Sequence, residues 1–122
     1  MIESVRSPEE IANAWLEAFN VHDLDRLLLL YHDDAEHFSP KLKQRKPESN
    51  GMVRGKNELR AWWKDAFQRL PGLTYKMYRI TANKESVFME YTRIVPGEEN
   101  MEVAEVLEIK NNLIVASRVY HG

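Results

Sequence analysis

The sequence predicts an α+β fold in which three N-terminal helices pack on a curved, mostly antiparallel sheet formed by the C-terminal half. Apolar residues recur at helical spacing before Leu70, and the period changes to two from Leu73 onward. Turn sequences divide the alternating half into four segments. Helices followed by a run of strands are typical of α+β domains, in which helices cover one face of a sheet.

The first helix is predicted from its capping signal. The segment SPEE at 7–10 has an N-cap serine, a proline suited to the first helical position and a glutamate that can complete a capping box. Ile11, Trp15 and Phe19 follow at a spacing of four residues. The helix is expected to end near Asn20.

Two further helices follow the same logic. Asp23 is an N-cap for a short helix whose four leucines, 27–30, leave little polar face, which indicates packing on most sides. From Leu59 to Leu70, apolar residues stand at offsets 0, 3, 4, 7, 8 and 11, which is a strong amphipathic pattern. Pro71 and Gly72 end this third helix.

The connection between the second and third helices is predicted to be irregular. HDDAEHFSP at 32–40 indicates a turn and a short strand that ends at Pro40. Residues 41–54 have no sustained period and contain proline, serine, asparagine and glycine. They predict a loop, with a short hairpin arm leading into Gly55 as an alternative.

The alternating half predicts a strand meander. The strands are expected near 73–81, 86–95, 101–110 and 113–121. Asn111-Asn112 suits a two-residue hairpin because asparagine tolerates positive φ, and PGEEN at 96–100 forms a longer turn.

Composition limits the function classes. The 122 residues suffice for one domain, 1–122, and 43% hydrophobic with 30% charged residues is typical of a soluble protein. A net charge of −2 gives no general electrostatic reason to expect nucleic-acid or membrane binding. The N-terminal MIESVRSPEE lacks an apolar signal core, so we expect a cytoplasmic protein. Without cysteine, and with four scattered histidines, no metal site is predicted.

One carboxylate interrupts the third predicted strand. In MEVAEVLEI at 101–109 every odd position is apolar except Glu105. A buried carboxylate without partners costs several kcal/mol or stays protonated with a raised pKa. Glu105 is therefore expected to have a donor nearby or to face a wet pocket.

The neighbouring strands show comparable faces. In the last strand Ser117 and His121 interrupt an apolar odd face that also holds Leu113, Val115 and Val119. The strand before Glu105 has one face formed by Val87, Met89, Tyr91 and Arg93.

The chain resembles the SnoaL-like branch of the nuclear transport factor 2 superfamily, which includes ketosteroid isomerases and polyketide cyclases. The resemblance is carried by AWLEAFNVHDLDRLLLLYHDDAEHFSP, by the glycine-led helix RGKNELRAWWKDAF and by the meander ending SRVYHG, and it runs from about Pro8 to Gly122. It implies a cone-shaped, cystatin-like α+β fold. It further implies a pocket between sheet and helices, no cofactor, and commonly a homodimer through the sheet.

The chain departs from ketosteroid isomerases at two of their three functional positions, and this departure argues against steroid isomerase activity. Ketosteroid isomerases use a tyrosine on the first helix, an aspartate before a proline and an aspartate on the third long strand. Trp15, Ser39 and Glu105 stand at these positions, and only Glu105 keeps the chemistry. Trp15 has no hydroxyl, and Ser39 is no general base at neutral pH without activation.

These residues define a predicted site. The catalytic candidates are Glu105, His37 and His121. The ligand-binding candidates are Trp15, Ser39, Trp63, Met89, Tyr91, Arg93 and Ser117. Each has a structural alternative: Glu105 bonded to a tyrosine or tryptophan or paired with Arg93, His37 as a satisfied half-buried histidine, Ser39 as a turn residue, and the aromatic side chains as core.

The basic segment KLKQRK at 41–46 has two interpretations. It is either a solvated loop or a basic lip that attracts anionic ligands.

Two functions remain open from the sequence. The first is a pocket for a small, largely apolar organic molecule, with cofactor-independent acid–base chemistry of the isomerase, cyclase, dehydratase or hydrolase type. The alternative is a non-catalytic ligand-binding or dimeric assembly module. For this alternative, the even positions of the last two strands, Glu102 to Glu108 and Ile114 to Tyr120, form an amphipathic face suited to a homodimer.

Overall fold

The order of elements agrees with the predicted α+β class, with four helices and six strands in a computed structural model that describes residues 6–121. The helices are α1 (Pro8–Asn20), α2 (Leu24–Leu29), α3 (Pro40–Arg45) and α4 (Gly55–Arg69). The strands are β1 (Tyr31–Phe38), β2 (Met52–Arg54), β3 (Thr74–Ala82), β4 (Ser86–Ile94), β5 (Met101–Lys110) and β6 (Leu113–His121). Residues 1–5, part of the segment used to predict location, and Gly122 lie outside the described residues.

The predicted caps of the first two helices are confirmed. Ser7 Oγ accepts a hydrogen bond from Glu10 N (3.1 Å), and Ser7 N donates to Glu10 Oε1 (2.8 Å), which completes the capping box of α1. Asp23 Oδ1 accepts from Arg26 N (3.1 Å) at the start of α2.

The predicted loop at 41–54 is partly wrong, because it begins inside a fourth helix, α3. Ser39 Oγ accepts from Lys41 N (3.2 Å), Pro40 occupies the first turn, and Leu42 is fully buried. A six-residue helix with one buried residue is too short for a periodicity. The Ser-Pro pair that begins α1 also begins α3, and it was the available signal. Strand β2 confirms the alternative of a hairpin arm before Gly55.

The predicted turn at the start of 32–40 is also corrected. Strand β1 already begins at Tyr31, and its pairing with β6 is irregular between Tyr31 and Glu36. His32, Asp33 and Asp34 are exposed there. These polar residues therefore bulge from a continuous strand instead of forming a turn.

The six strands form one sheet in the order β2-β1-β6-β5-β4-β3. Strands β1 and β6 are parallel, whereas all other neighbours are antiparallel. Asn111 and Asn112, with φ of 52° and 67°, form the predicted two-residue connection between β5 and β6.

A β-bulge corrects the predicted inner face of β6. Ile109 pairs with Ile114 and Glu108 with Ala116, so Val115 has no partner on β5. The extra residue reverses the alternation on one side of the bulge. Ile114 is therefore fully buried, while Leu113 and Val115, which strict alternation placed inside, are partly exposed.

Helices cover only one face of the sheet. Helix α1 packs on β3 and β4, and α4 packs on β1 and β2. We call this side the inner face; on β4 and β5 it carries Tyr91, Arg93, Val103 and Glu105. The opposite, outer face carries Phe88, Glu102, Val106, Glu108, Arg118 and Tyr120. None of the helices between residues 6 and 121 is both long and apolar enough to cross a membrane.

Candidate functional site

A cavity of about 240 Å³ lies between the inner face of the sheet and helices α1, α3 and α4. Six aromatic side chains form one wall of the cavity: Trp15, Phe19, Trp62, Trp63, Tyr75 and Tyr91. The Tyr75 ring stacks on both Phe19 and Tyr91, with centroids 4.1 Å apart in each pair. Stacked rings present flat apolar surface, which suits a small, largely apolar molecule.

Glu105 lies at the inner end of this cavity. It stands on β5 between Met89 and Val119 of the neighbouring strands, and only 1% of its surface is exposed. The Tyr91 hydroxyl donates to Glu105 Oε1 at 2.7 Å. Among residues 6–121, Glu105 Oε2 is the one buried side-chain oxygen or nitrogen atom without a hydrogen-bond partner. One carboxyl oxygen is thus held by the protein, and the other is buried without a partner in a residue that lines the cavity.

Burial raises the pKa of Glu105 from an ordinary 4.5 to about 8, and the hydrogen bond from Tyr91 only partly opposes this shift. The carboxyl is therefore largely protonated at neutral pH. Because Oε1 accepts from Tyr91, the proton belongs on Oε2. Burial, followed by the charge of Glu105, also keeps the pKa of Tyr91 well above its ordinary value, so its hydroxyl remains a donor.

His37 is held by a directed chain of hydrogen bonds behind the cavity. Trp15 Nε1 donates to Tyr31 Oη (3.1 Å), and Tyr31 Oη donates to Ser117 Oγ (3.2 Å). The Ser117 hydroxyl lies 2.6 Å from His37 Nδ1. Indole N–H is a donor only, so Tyr31 has to donate onward, and the buried Ser117 hydroxyl needs His37 Nδ1 as its acceptor.

This chain determines the tautomer of His37. Nδ1 is the acceptor, so the proton of the neutral ring is on Nε2, the nitrogen left for the cavity that His37 lines. Burial lowers the pKa of His37 from 6.5 to about 4, so the ring is neutral at pH 7. His37 therefore presents a fixed N–H donor and no positive charge.

The third candidate, His121, lies nearer the cavity mouth. It pairs across the sheet with Val103, which in turn pairs with Tyr91. Burial lowers its pKa, and the charges of Lys41 and Arg93 lower it further. Arg93 is buried and donates through Nη1 to Glu98 Oε1 at 3.0 Å. The structural alternative in which Glu105 pairs with Arg93 is thus not what the structure shows.

The structure brings most of the predicted site residues to one cavity. Those that line it are Glu105, His37, His121, Trp15, Ser39, Trp63, Tyr91 and Arg93. Two do not: Met89 is fully buried core beside Glu105, and Ser117 lies behind His37. Trp15 and Ser39 contribute only surface, since the Trp15 N–H is used by Tyr31 and the Ser39 hydroxyl caps α3.

Several lining residues were missed from the sequence. Tyr75 is central to the aromatic wall, and its signal was present, since Leu73, Tyr75 and Met77 continue the period-two pattern. Phe19 was predicted only as part of the apolar stripe of α1, and Trp62 was predicted as a core residue, of a type that commonly walls such pockets. Within the described part of the chain, no cluster of three His, Asp or Glu side chains could hold a metal ion.

The geometry has counterparts among solved structures. A SnoaL-like protein of unknown function from Burkholderia thailandensis is 26% identical, with a TM-score of 0.83 and 94% of each chain covered. A protein from Sinorhizobium meliloti provisionally named a polyketide cyclase is 16% identical (TM-score 0.76; 90% of this chain and 93% of that one). A Kribbella flavida protein provisionally named a ketosteroid isomerase is 14% identical (TM-score 0.74; 92% and 75%). Others are described as NTF2-like or cystatin-fold proteins.

The fold prediction is thereby confirmed, with the helix count corrected from three to four. None of the curated protein sequences matches the chain. The sequence profile of the SnoaL-like domain matches residues 12–117, which is most of the chain. The chain therefore belongs to the SnoaL-like domain family.

Proposed function

We propose that the protein binds a small, largely apolar carbonyl compound in this cavity and moves a proton on it without a cofactor, as isomerases and cyclases do. The observation that supports this most is Glu105, which lines the cavity and whose buried Oε2 has no hydrogen-bond partner within the described residues. A carboxyl with a pKa of about 8 exchanges its proton readily in both directions near neutral pH.

In the proposed step, ionised Glu105 removes a proton from the carbon next to the carbonyl group. The C–H bond breaks, its electron pair moves onto the carbonyl oxygen, and the Nε2–H of His37 donates to that oxygen. In a β,γ-unsaturated carbonyl compound, Glu105 then returns the proton to the γ carbon while the C=C bond moves next to the re-formed carbonyl group, which completes an isomerisation. In a cyclisation the electron pair instead forms a bond to the carbon of a second carbonyl group, whose C=O π bond opens and whose oxygen takes the proton from Glu105.

The surroundings of the two groups support this assignment. The Tyr91 hydroxyl fixes one oxygen of Glu105, so the free oxygen is the one that exchanges the proton. Because His37 is neutral, it polarises a carbonyl group without adding a charge that would lower the pKa of Glu105. The aromatic wall positions the apolar part of the molecule and excludes water.

Hydrogen–deuterium exchange tests the proposal without knowledge of the natural substrate. The C–H groups beside the carbonyl of 2-tetralone and phenylacetone are followed by NMR in D₂O. The wild type should accelerate exchange at least about 100-fold over Glu105→Gln, with the rate rising with pH through about 8. Glu108→Gln, on the outer face of the same strand, is the matched control and should keep the wild-type rate.

Glu105→Leu separates catalysis from stability. Leucine removes the unsatisfied oxygen, so stability should be unchanged or higher while exchange is lost. Equal exchange by the wild type and both Glu105 variants, with no small molecule bound in native mass spectra of protein from cell extract, would contradict the proposal and favour the non-catalytic module.

A homodimer through the outer face remains a prediction that we retain as a proposal. The supporting observation is apolar exposure on that face, with Phe88 40% and Tyr120 49% exposed on either side of Val106 and Ala104. A second copy would cover these side chains. The cytoplasmic location likewise stays a prediction from the sequence.

A further inference from the structure

The charges around the cavity mouth are strongly unequal. Four basic side chains line the cavity, namely Lys41, Arg45, Arg69 and Arg93, while apart from Glu105 at the inner end the acidic lining is Glu98 alone. The surplus of positive charge therefore lies where an entering molecule would first meet the protein.

Two of the four cations share one carboxylate within the fold. Asp65 on α4 accepts from Arg69 Nε at 2.7 Å and lies 3.6 Å from Arg45 Nη2. Both arginines are exposed on the helices that frame the mouth. Asp65 balances one of their two positive charges at the protein surface.

Arg93 is different because it is buried with one exposed partner. Its side chain is 8% exposed, and Nη1 donates to Glu98 Oε1, whose side chain is 48% exposed in the β4–β5 turn. The guanidinium group finds no second hydrogen-bond partner within residues 6–121. Since a guanidinium has five N–H donors in a planar fork, a residue that lines the cavity keeps donors beyond the one that Glu98 uses.

Lys41 reaches the same end of the cavity from α3. It forms no ion pair within the described residues. Lys41, Arg93 and His121 line the same cavity, and α3, which carries Lys41, contacts β6, which carries His121. Both cations also lower the pKa of His121. Two cations with incomplete pairing therefore line one cavity.

We propose that the carbonyl compound taken by this cavity also carries an ionised carboxylic acid group, whose carboxylate binds between Arg93 and Lys41 while the apolar part of the molecule lies against the aromatic wall. This inference rests on the proposed function, because it names the substrate class of the same cavity. The hydrogen bond from Arg93 to Glu98 shows that this guanidinium group binds a carboxylate. Being exposed, Glu98 is an intramolecular competitor that a ligand can replace.

Binding of trans-cinnamate and trans-cinnamamide, measured by calorimetry and by fluorescence of the cavity tryptophans, tests the proposal. The two probes share shape and differ in charge. We expect cinnamate to bind about tenfold more tightly, and the preference to shrink as ionic strength rises from about 20 mM to about 500 mM.

Variants locate the anion site. Arg93→Gln and Lys41→Gln should each remove most of the preference for cinnamate over cinnamamide. Lys43→Gln, an exposed residue of α3 outside the cavity lining, changes the net charge equally and should have no effect. Glu98→Gln removes the competitor from an exposed turn, so cinnamate affinity should rise severalfold; this variant decides the question even if Arg93→Gln fails to fold.

The outcomes separate the two proposals. Equal affinity for acid and amide, or no gain in Glu98→Gln, overturns the carboxylate site and leaves the exchange reaction of Glu105 untouched. Binding of neither probe overturns the substrate class. If the wild type does not accelerate deuterium exchange but prefers cinnamate to cinnamamide, only the proposed chemistry is overturned.

Discussion

Glutamate side chains on the two faces of the sheet differ in exposure and in hydrogen bonding. On the outer face Glu102 accepts from the Thr92 hydroxyl (3.1 Å), and Glu108 accepts from Arg118. All of these side chains are partly or largely exposed. Between the two glutamates, on the inner face of the same strand, Glu105 is buried with one oxygen unpaired.

This difference separates polar groups that serve the fold from polar groups that the fold leaves incomplete. An exposed group that lacks a partner bonds to water at little cost, whereas a buried one costs about 1–3 kcal/mol. The incomplete pairings on the inner face, at Glu105 and Arg93, therefore lower stability and require a compensating role. Both line the cavity, which is where such a role would be exercised.

The largest effect that would sharpen this comparison is the pH dependence of stability. Folding raises the pKa of Glu105 from 4.5 to about 8, so the folded state keeps a proton that the unfolded state loses and stability falls across this window. Folding lowers the pKa of His37 from 6.5 to about 4, so stability rises with pH across that window.

The two effects oppose each other between pH 4.5 and 6.5, where the lowered pKa of His121 adds a further rise of stability with pH, and the fall due to Glu105 dominates between 6.5 and 8. Wild-type stability should therefore fall by about 2 kcal/mol from pH 6.5 to 8. Glu105→Gln should lose this fall, so that its advantage over the wild type grows by about 5 kcal/mol from pH 4.5 to 8. Urea unfolding at several pH values measures this, and Glu108→Gln should follow the wild type. Parallel curves for the wild type and Glu105→Gln would show that Glu105 is not the buried acid described here.

The sequence predicted the elements whose signals are local or long enough to show a period. Helices α1 and α4 and the four-strand meander are long enough for their apolar periods to be visible, and the caps at Ser7 and Asp23 are local. Helix α3 was not predicted because Leu42 is its single buried residue. The bulge at Val115 was not predicted because the extra residue leaves the alternating pattern of β6 unbroken in the sequence.

The site was predictable to the extent that it follows strand alternation. Glu105, Tyr91 and Arg93 share a face for that reason alone. The pairing of Glu105 with Tyr91 and not with Arg93 depends on side-chain reach across strands, which sequence spacing does not contain. His37 and Ser117 are 80 positions apart in the sequence. Their hydrogen bond depends on the parallel pairing of β1 with β6.

The next effect in size concerns Ser117, the positioning residue for His37. Ser117→Ala leaves the buried Tyr31 O–H without its acceptor and His37 Nδ1 without its donor, and should cost about 2 kcal/mol. Thr92→Val on the outer face removes a hydroxyl that water can replace, and should cost at most about 0.5 kcal/mol. Chemical denaturation compares the two variants. The ¹⁵N shifts of the His37 ring should also move in Ser117→Ala, which a purely structural role for Ser117 does not predict.

The smallest effect is expected for the outer-face ion pair of Arg118 and Glu108, whose side chains are 39% and 45% exposed. A double-mutant cycle with Arg118→Gln and Glu108→Gln should give a coupling of about 0.5 kcal/mol or less for a face in contact with water. If a second copy covers this face, the same pair is desolvated, and the coupling should grow with protein concentration in step with dimer formation measured by sedimentation. A small coupling that stays constant across the concentration range, with a monomer in sedimentation, would contradict the homodimer and leave Phe88 and Tyr120 as solvated surface.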